Sequence, residues 1–247
     1  MKIFLTGDSH RTIDLRKLIK FNDENPNLTK EDLVIILGDA GIVWNELNDD
    51  FHALVQTYEN FNFSTAYILG NHEDYDLLKT FPKEVWNGGI VRRISDSIIQ
   101  LENGEIFNIN NKNFFVMGGA ESIDKHLREK GKTWWPQEIP STEQRLRAIQ
   151  NFLISEVVEG FPDYMLTHTP PAAIIQQMHY SYLSKCDEYS KWLNYFLSLE
   201  DEYGMEWYCG HMHEDITVSN PYCKFNSNNV KIAVSEVNLL YNQIVEI

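Results

Sequence analysis

The chain has 247 residues, 43% of them apolar and 23% charged, a size and composition that bury a substantial core and exclude a disordered chain or a small stapled scaffold. With 21 basic and 36 acidic residues its net charge is −15, which repels polyanions and excludes a general nucleic-acid coat protein. Cys186, Cys209 and Cys223 are an odd number without CxxC spacing, which excludes a disulfide framework and points to a reducing, cytoplasmic compartment.

The first apolar run, 3–5, is too short for a secretory segment, and the longest, 33–37, is too short to cross a bilayer, so no membrane contact is expected. No repeat, low-complexity tract or linker divides the sequence, and residues 1–247 are expected to form a single domain.

In chain order, a short apolar run repeatedly stops at Gly or Thr and releases polar residues. Runs 2–6, 33–37 and 65–69 precede Gly7-Asp8-Ser9-His10, Gly38-Asp39 and Gly70-Asn71-His72-Glu73. Runs 113–117, 164–167 and 206–209 precede Gly118-Gly119-Ala120-Glu121-Ser122, His168 and Gly210-His211-Met212-His213. Their length and their Ile, Val, Phe and Tyr content predict buried strands.

Helical spacing marks 11–21 and 46–61 between the early runs, and later 141–158, opened by a Ser141/Gln144 capping-box pattern, and 185–199. Further strands, pairing mostly antiparallel, are expected at 89–94, 97–101, 105–109, 230–234 and 243–247. The strand and helix alternation predicts an α/β fold whose polar tips meet outside the carboxyl ends of the strands.

Those tips collect Asp8, His10, Asp39, Asn71, His72, His168, His211 and His213, a set without thiolate that suits Mn²⁺, Fe or Zn²⁺. On an extended tip Asp8 with His10, and His211 with His213, would each face one way and grip one ion. The set is too large for one tetrahedral ion and suits two ions sharing a carboxylate and a solvent molecule. Such a site binds a phosphoryl group and activates a bridging hydroxide. Two divalent ions, Asp8, Asp39 and the hydroxide sum to +1, so the acidic total does not exclude an anionic substrate, distant charges being screened over about 8 Å.

GDSH at 7–10, GD at 38–39, GNHE at 70–73, His168 and GHMH at 210–213, in this order, resemble the calcineurin-like metallophosphoesterase superfamily. The resemblance implies a four-layer αββα sandwich of two mixed β-sheets flanked by helices. It also implies that Asp8, His10 and His213 hold one metal, that Asn71, His168 and His211 hold the second, and that Asp39 bridges them. His72 would protonate the leaving oxygen or stabilise its charge. Where many members read GDxxD, this chain has Ile42 at the final position, and Val43 and Leu69 stand where the protein serine/threonine phosphatases carry arginines. The segment 118–124, Trp134-Trp135-Pro136 and Trp207-Tyr208-Cys209 are similar to small bacterial and phage-borne metallophosphoesterases.

The most basic stretch, 125–147, follows a strand tip and suggests a substrate loop. There Arg128 or Lys125 would meet phosphate and Trp134 or Trp135 would stack on a planar group. The alternative is tryptophans packed on the core beside a solvated helix face. An i,i+4 pair of Asp124 with Arg128 would form if that piece is helical, and Arg11 could replace the missing phosphate clamp. The leading expectation is a metal-dependent phosphatase acting on a phosphorylated small molecule or phosphoprotein. The alternatives are a phosphodiesterase of cyclic or linear nucleotides and a non-catalytic metal-bound interaction module. The last should have lost Asp39, His72 or several ligands, all of which are present.

Overall fold

Both faces of the early apolar runs are covered, which is why they read as unbroken hydrophobic stretches rather than as alternating ones. In β1 (Ile3–Thr6), Ile3 and Leu5 face a core between two sheets while Phe4 faces helices. The computed structural model describes residues 1–158, 160–178, 186–203, 205–221 and 236–247. The strand expected at 230–234 and Cys223 lie outside the described residues.

After β1 come α1 (Arg16–Glu24), β2 (Leu33–Ile36), α2 (Asp49–Glu59), β3 (Ser64–Tyr67) and α3 (Tyr75–Leu78). Then follow β4 (Lys83–Trp86), β5 (Gly89–Ser95), β6 (Ile98–Leu101), β7 (Ile106–Ile109) and β8 (Lys112–Met117). The chain continues through α4 (Thr142–Val158), β9 (Tyr164–Thr167), α5 (Ala172–Ile175), α6 (Glu188–Tyr203) and β10 (Glu206–Cys209). It ends in β11 (Ile216–Ser219), β12 (Glu236–Leu239) and β13 (Ile244–Glu246).

Among the described residues one sheet has the order β13-β1-β2-β3-β6-β5-β4 and the other β11-β12-β10-β9-β8-β7. Both are mixed: β1, β2, β3 and β6 are parallel, as are β8, β9, β10 and β12, while β13, β5, β4, β7 and β11 join antiparallel. Leu33, Ile35, Ala66, Phe114, Val116 and Leu166 fill the space between the sheets. Leu18, Leu54 and Tyr58 of α1 and α2 cover one outer face, and Phe152, Leu193 and Phe196 of α4 and α6 cover the other. The αββα sandwich of two mixed sheets follows.

The capping box before α4 forms as its residues require: Gln144 N–H donates to Ser141 Oγ at 3.2 Å and Ser141 N–H to Gln144 Oε1 at 2.9 Å. The first helix begins at Arg16 rather than Arg11. His10 and Arg11 have φ of 42° and 57°, left-handed values that a helix does not accept. Ile13, counted toward the apolar face, is 79% exposed in the turn that results.

Candidate metal centre

The parallel strands in both sheets end at the same rim, and the polar tips meet there. Gly38 shows how closely: with φ of +88°, it lies where an added Cβ would stand 2.2 Å from His168 Nδ1. Only glycine allows both the turn and that approach. At Gly70 an added Cβ would stand 2.1 Å from Asp39 Oδ1. The tip at 118–122 joins the others through Ser122 Oγ, which lies 3.2 Å from Asn71 Nδ2. That bond turns the Asn71 amide so that its oxygen faces His168 Nε2 at 3.2 Å.

Among the described residues, three groups of side chains converge closely enough to hold a metal ion: Asp8, His10 and His213; Asp39, His168 and His211; and His10, Asp39 and His72. Asp39 belongs to two of them. Its Oδ2 lies 3.4 Å from His10 Nε2, and its Oδ1 lies 3.4 Å from His168 Nε2. Oδ1 also accepts the backbone N–H of His72 at 2.7 Å.

The pairing expected within GHMH is corrected. His211 and His213 fall in different groups, because the tip is not extended there: their φ values are 65° and 56°. His10 and Asp39 share this left-handed backbone, at 42° and 49°. Such strain persists only where neighbours over-determine the conformation.

The donor set fits divalent cations. Asp8, Asp39 and His168 are buried, and buried carboxylates require compensating positive charge. Asp8 Oδ2 accepts no hydrogen bond of sound geometry, although His213 Nε2 lies 3.0 Å away. Burial alone would raise the carboxyl of Asp39, yet His168, His10 and His72 around it hold it well below the usual range. Burial opposes the charge on His10 too, but Asp39, Asp8 and Asp14 push its imidazole up to about 9. These opposed shifts show how strongly the buried carboxylates call for positive charge. His72 goes the other way, lowered by burial and by the guanidinium of Arg128 against the pull of Asp39.

Arg128 is the one member of the expected substrate loop that reaches the donors. Its Nη1 and Nη2 lie 3.4 and 3.5 Å from Nδ1 and Nε2 of His72. The predicted Asp124 pair holds Arg128 Nε at 2.8 Å, and Thr133 C=O accepts from Nη1 at 3.3 Å. Arg128 and His72 line a cavity of about 140 Å³ together with Asp39, Asn71 and both histidines of GHMH.

Trp135 is corrected: it is 1% exposed, packed edge-on against Trp44 at 5.4 Å, and has no face for a ligand. Trp134 is half-buried and, like Lys125 and Arg11, does not line that cavity. Lys125 is engaged by Glu121, while Arg11 lies against Gly41 and a separate hollow beside α2. Val43 and Leu69, in the places of the absent arginines, are buried in the core under α1 and α2.

Residues without an expected role of their own complete the surroundings. Glu73 Oε1 accepts the N–H groups of Ala40 and Gly41 at 2.9 and 3.3 Å, fixing the turn that presents Asp39. Trp44 flanks His72 with ring centroids 6.2 Å apart. Asp14 lies one turn beyond His10, a spacing that could have signalled its role. Tyr241, remote in sequence, carries no such signal.

Glu138 anchors the loop below Arg128 by accepting the N–H of Ser122 at 3.2 Å and of Trp135 at 3.3 Å. Burial pushes its carboxyl up to about 7 from an ordinary 4.5. Across that window the folded protein keeps a proton that the unfolded chain releases, so stability falls as pH rises from 4.5 to about 7 and then levels. Glu138→Gln should flatten thermal melts over this range, removing a pH-dependent loss of about 2 kcal/mol after allowance for screening.

A family model described as calcineurin-like phosphoesterase matches residues 1–215. No curated protein matches the chain.

Proposed function

Since the chain belongs to the calcineurin-like phosphoesterase family, a family of metal-dependent phosphoester hydrolases, we propose that it is a phosphomonoesterase using two divalent ions. Mn²⁺ is the first choice and Fe or Zn²⁺ suit the same donors. Asp8, His10 and His213 would hold one ion and Asn71, His168 and His211 the other, with Asp39 serving both. Bound there, divalent ions supply neutralisation of phosphate charge and acidify water to a nucleophile at neutral pH.

The observation that carries this reading is the position of Asp39, whose two oxygens face His10 Nε2 and His168 Nε2 in separate groups, each at 3.4 Å. The residues around it divide the remaining work. His72, fixed through its backbone by Asp39, faces the cavity with its ring and gives a proton or a hydrogen bond to the departing oxygen. Arg128, anchored at Nε and Nη1 and lining the same cavity, would meet the phosphate there. The cavity takes little beyond a phosphoryl group, so the leaving group stays at the rim, where Ile123 is 55% exposed.

A monoester carries one more negative charge than a diester, which favours it beside Arg128. The substrate is accordingly a phosphorylated small molecule or phosphoprotein, with nucleotide diesters as the alternative. No helix among the described residues is long and apolar enough to cross a membrane. The free thiols of Cys186 and Cys209 agree with a cytoplasmic setting. A single domain over 1–247 agrees with the pairing of β13 with β1 and of β12 with β10.

Hydrolysis of p-nitrophenyl phosphate against bis-p-nitrophenyl phosphate by Mn²⁺-loaded protein tests the proposal. A strong monoester preference is expected. A diester preference would replace it with the phosphodiesterase, and an ion-loaded protein inert toward both would replace it with the interaction module. Arg128→Ala should raise the monoester KM about tenfold, the loss of one charge-assisted contact, with a smaller change for the diester. An unchanged KM for both would remove Arg128 from the substrate site.

A further inference from the structure

The Asp8, His10 and His213 group has an outer layer, part of which lies beyond the residues matched by the family model. His10 Nδ1 is 2.9 Å from Asp14 Oδ2, which leaves Nε2 directed toward Asp8 and Asp39. The other oxygen of Asp14 accepts the hydroxyl of Tyr241 at 3.1 Å. The ring of Tyr241 lies flat on the imidazole of His213, with centroids 4.6 Å and planes 11° apart. One tyrosine from the segment after β12 therefore touches one candidate ligand with its ring and a second through Asp14.

Tyr241 is itself fixed from both sides. Asp215 Oδ1 accepts the backbone N–H groups of Tyr241, Asn242 and Gln243 at 2.8, 3.0 and 3.0 Å. The ammonium of Lys17 donates to the carbonyls of Gly7, Asp8 and Tyr241, tying this segment to the tip that carries Asp8.

We propose that Asp14 and Tyr241 are positioning residues that set the affinity of the Asp8, His10 and His213 group for its divalent ion. Asp14 selects the form of His10 protonated at Nδ1, so that Nε2 presents its lone pair, and makes that nitrogen a stronger donor. Tyr241 restrains His213, whose side chain is 47% exposed and would otherwise exchange rotamers. Its hydroxyl holds Asp14 in line with His10. The two ligands are thereby coupled through Asp14, and the match over 1–215 stops short of the residue that couples them.

The inference rests on the two-ion reading, and direct ion binding separates the two. Metal-free protein is titrated with Mn²⁺ by calorimetry, without substrate, and the electron paramagnetic resonance spectrum is recorded at two equivalents. Wild type should show two binding steps and a spin-coupled pair. Asp14→Ala should weaken one step 10- to 100-fold, leave the other within about twofold, and yield the spectrum of an isolated Mn²⁺. Tyr241→Phe, which keeps the ring on His213, should weaken the same step about threefold to tenfold, the worth of one hydrogen bond.

Because the hydroxyl acts through Asp14, the double variant should bind no more weakly than Asp14→Ala alone. Both steps unchanged in both single variants would overturn the proposal. Fully multiplicative losses in the double variant would overturn the coupling through Asp14. A wild type that binds one ion would overturn the two-ion reading itself, and this proposal with it.

Discussion

Asp39→Asn should lose ion binding and hydrolysis together, with kcat/KM for p-nitrophenyl phosphate reduced at least about a thousandfold, on the order of 4 kcal/mol. The substitution changes one oxygen to an amide and little else in shape, so packing is conserved. Asp39 is 1% exposed and stands between imidazoles of two separate donor groups. The Asn side chain can still accept the N–H of His72, which Asp39 Oδ1 accepts at 2.7 Å, and the loop should hold its course. What disappears is the negative charge that balances His10 on one side and His168 on the other. A neutral amide offers one weak oxygen donor and cannot compensate two cations. The check is Mn²⁺ content after gel filtration beside the rate of hydrolysis. An Asp39→Asn protein that keeps full activity would exclude a shared carboxylate, and the two-ion mechanism with it.

The tips were legible in the sequence because each follows a strand buried on both faces. Val34 and Ile36 pack under helices while Leu33, Ile35 and Leu37 pack between the sheets, and such a strand cannot be written without a continuous apolar run. Two strands without that constraint, β4 and β11, were not legible. Residues Lys83–Trp86 form the edge strand β4 with alternating exposure, and β11 exposes most of Ile216–Ser219. Pairing with a neighbour, rather than burial of their own side chains, defines them.

The candidate site divides in the same way. Residue types picked out the side chains that converge, but two-residue spacing misgrouped His211 and His213. Side-chain direction after a strand depends on whether the next residues enter the left-handed region, which periodicity does not encode. Trp134 and Trp135 were equivalent as sequence, an indole being as suited to a core as to a ligand. The burial of Trp135 against Trp44 comes from how the 121–138 loop is folded over Glu138. Tyr241 stacks on His213 because β12 runs parallel to β10 and ends at the same rim, a consequence of topology alone.

The loss expected for His72→Ala depends on the leaving group. The side chain of His72 is 32% exposed and its ring edges the cavity, so truncation opens space at the rim without unpacking the core. With burial and the adjacent guanidinium of Arg128 acting in the same sense, its imidazole is held below the ordinary value. Its imidazolium form, made more acidic by those neighbours, would give its proton to the departing oxygen and recover one from solvent. An alkoxide leaves poorly without that proton, and loss of a positioned acid should slow alkyl phosphomonoesters about 10²- to 10⁴-fold. A nitrophenolate leaves as the anion, and p-nitrophenyl phosphate should slow about tenfold or less. A plot of log kcat/KM against leaving-group pKa should therefore be steeper for His72→Ala than for wild type, at unchanged Mn²⁺ stoichiometry. A uniform loss across the series would assign His72 to the phosphate instead. A loss accompanied by falling Mn²⁺ content would assign it to the donor group it forms with His10 and Asp39.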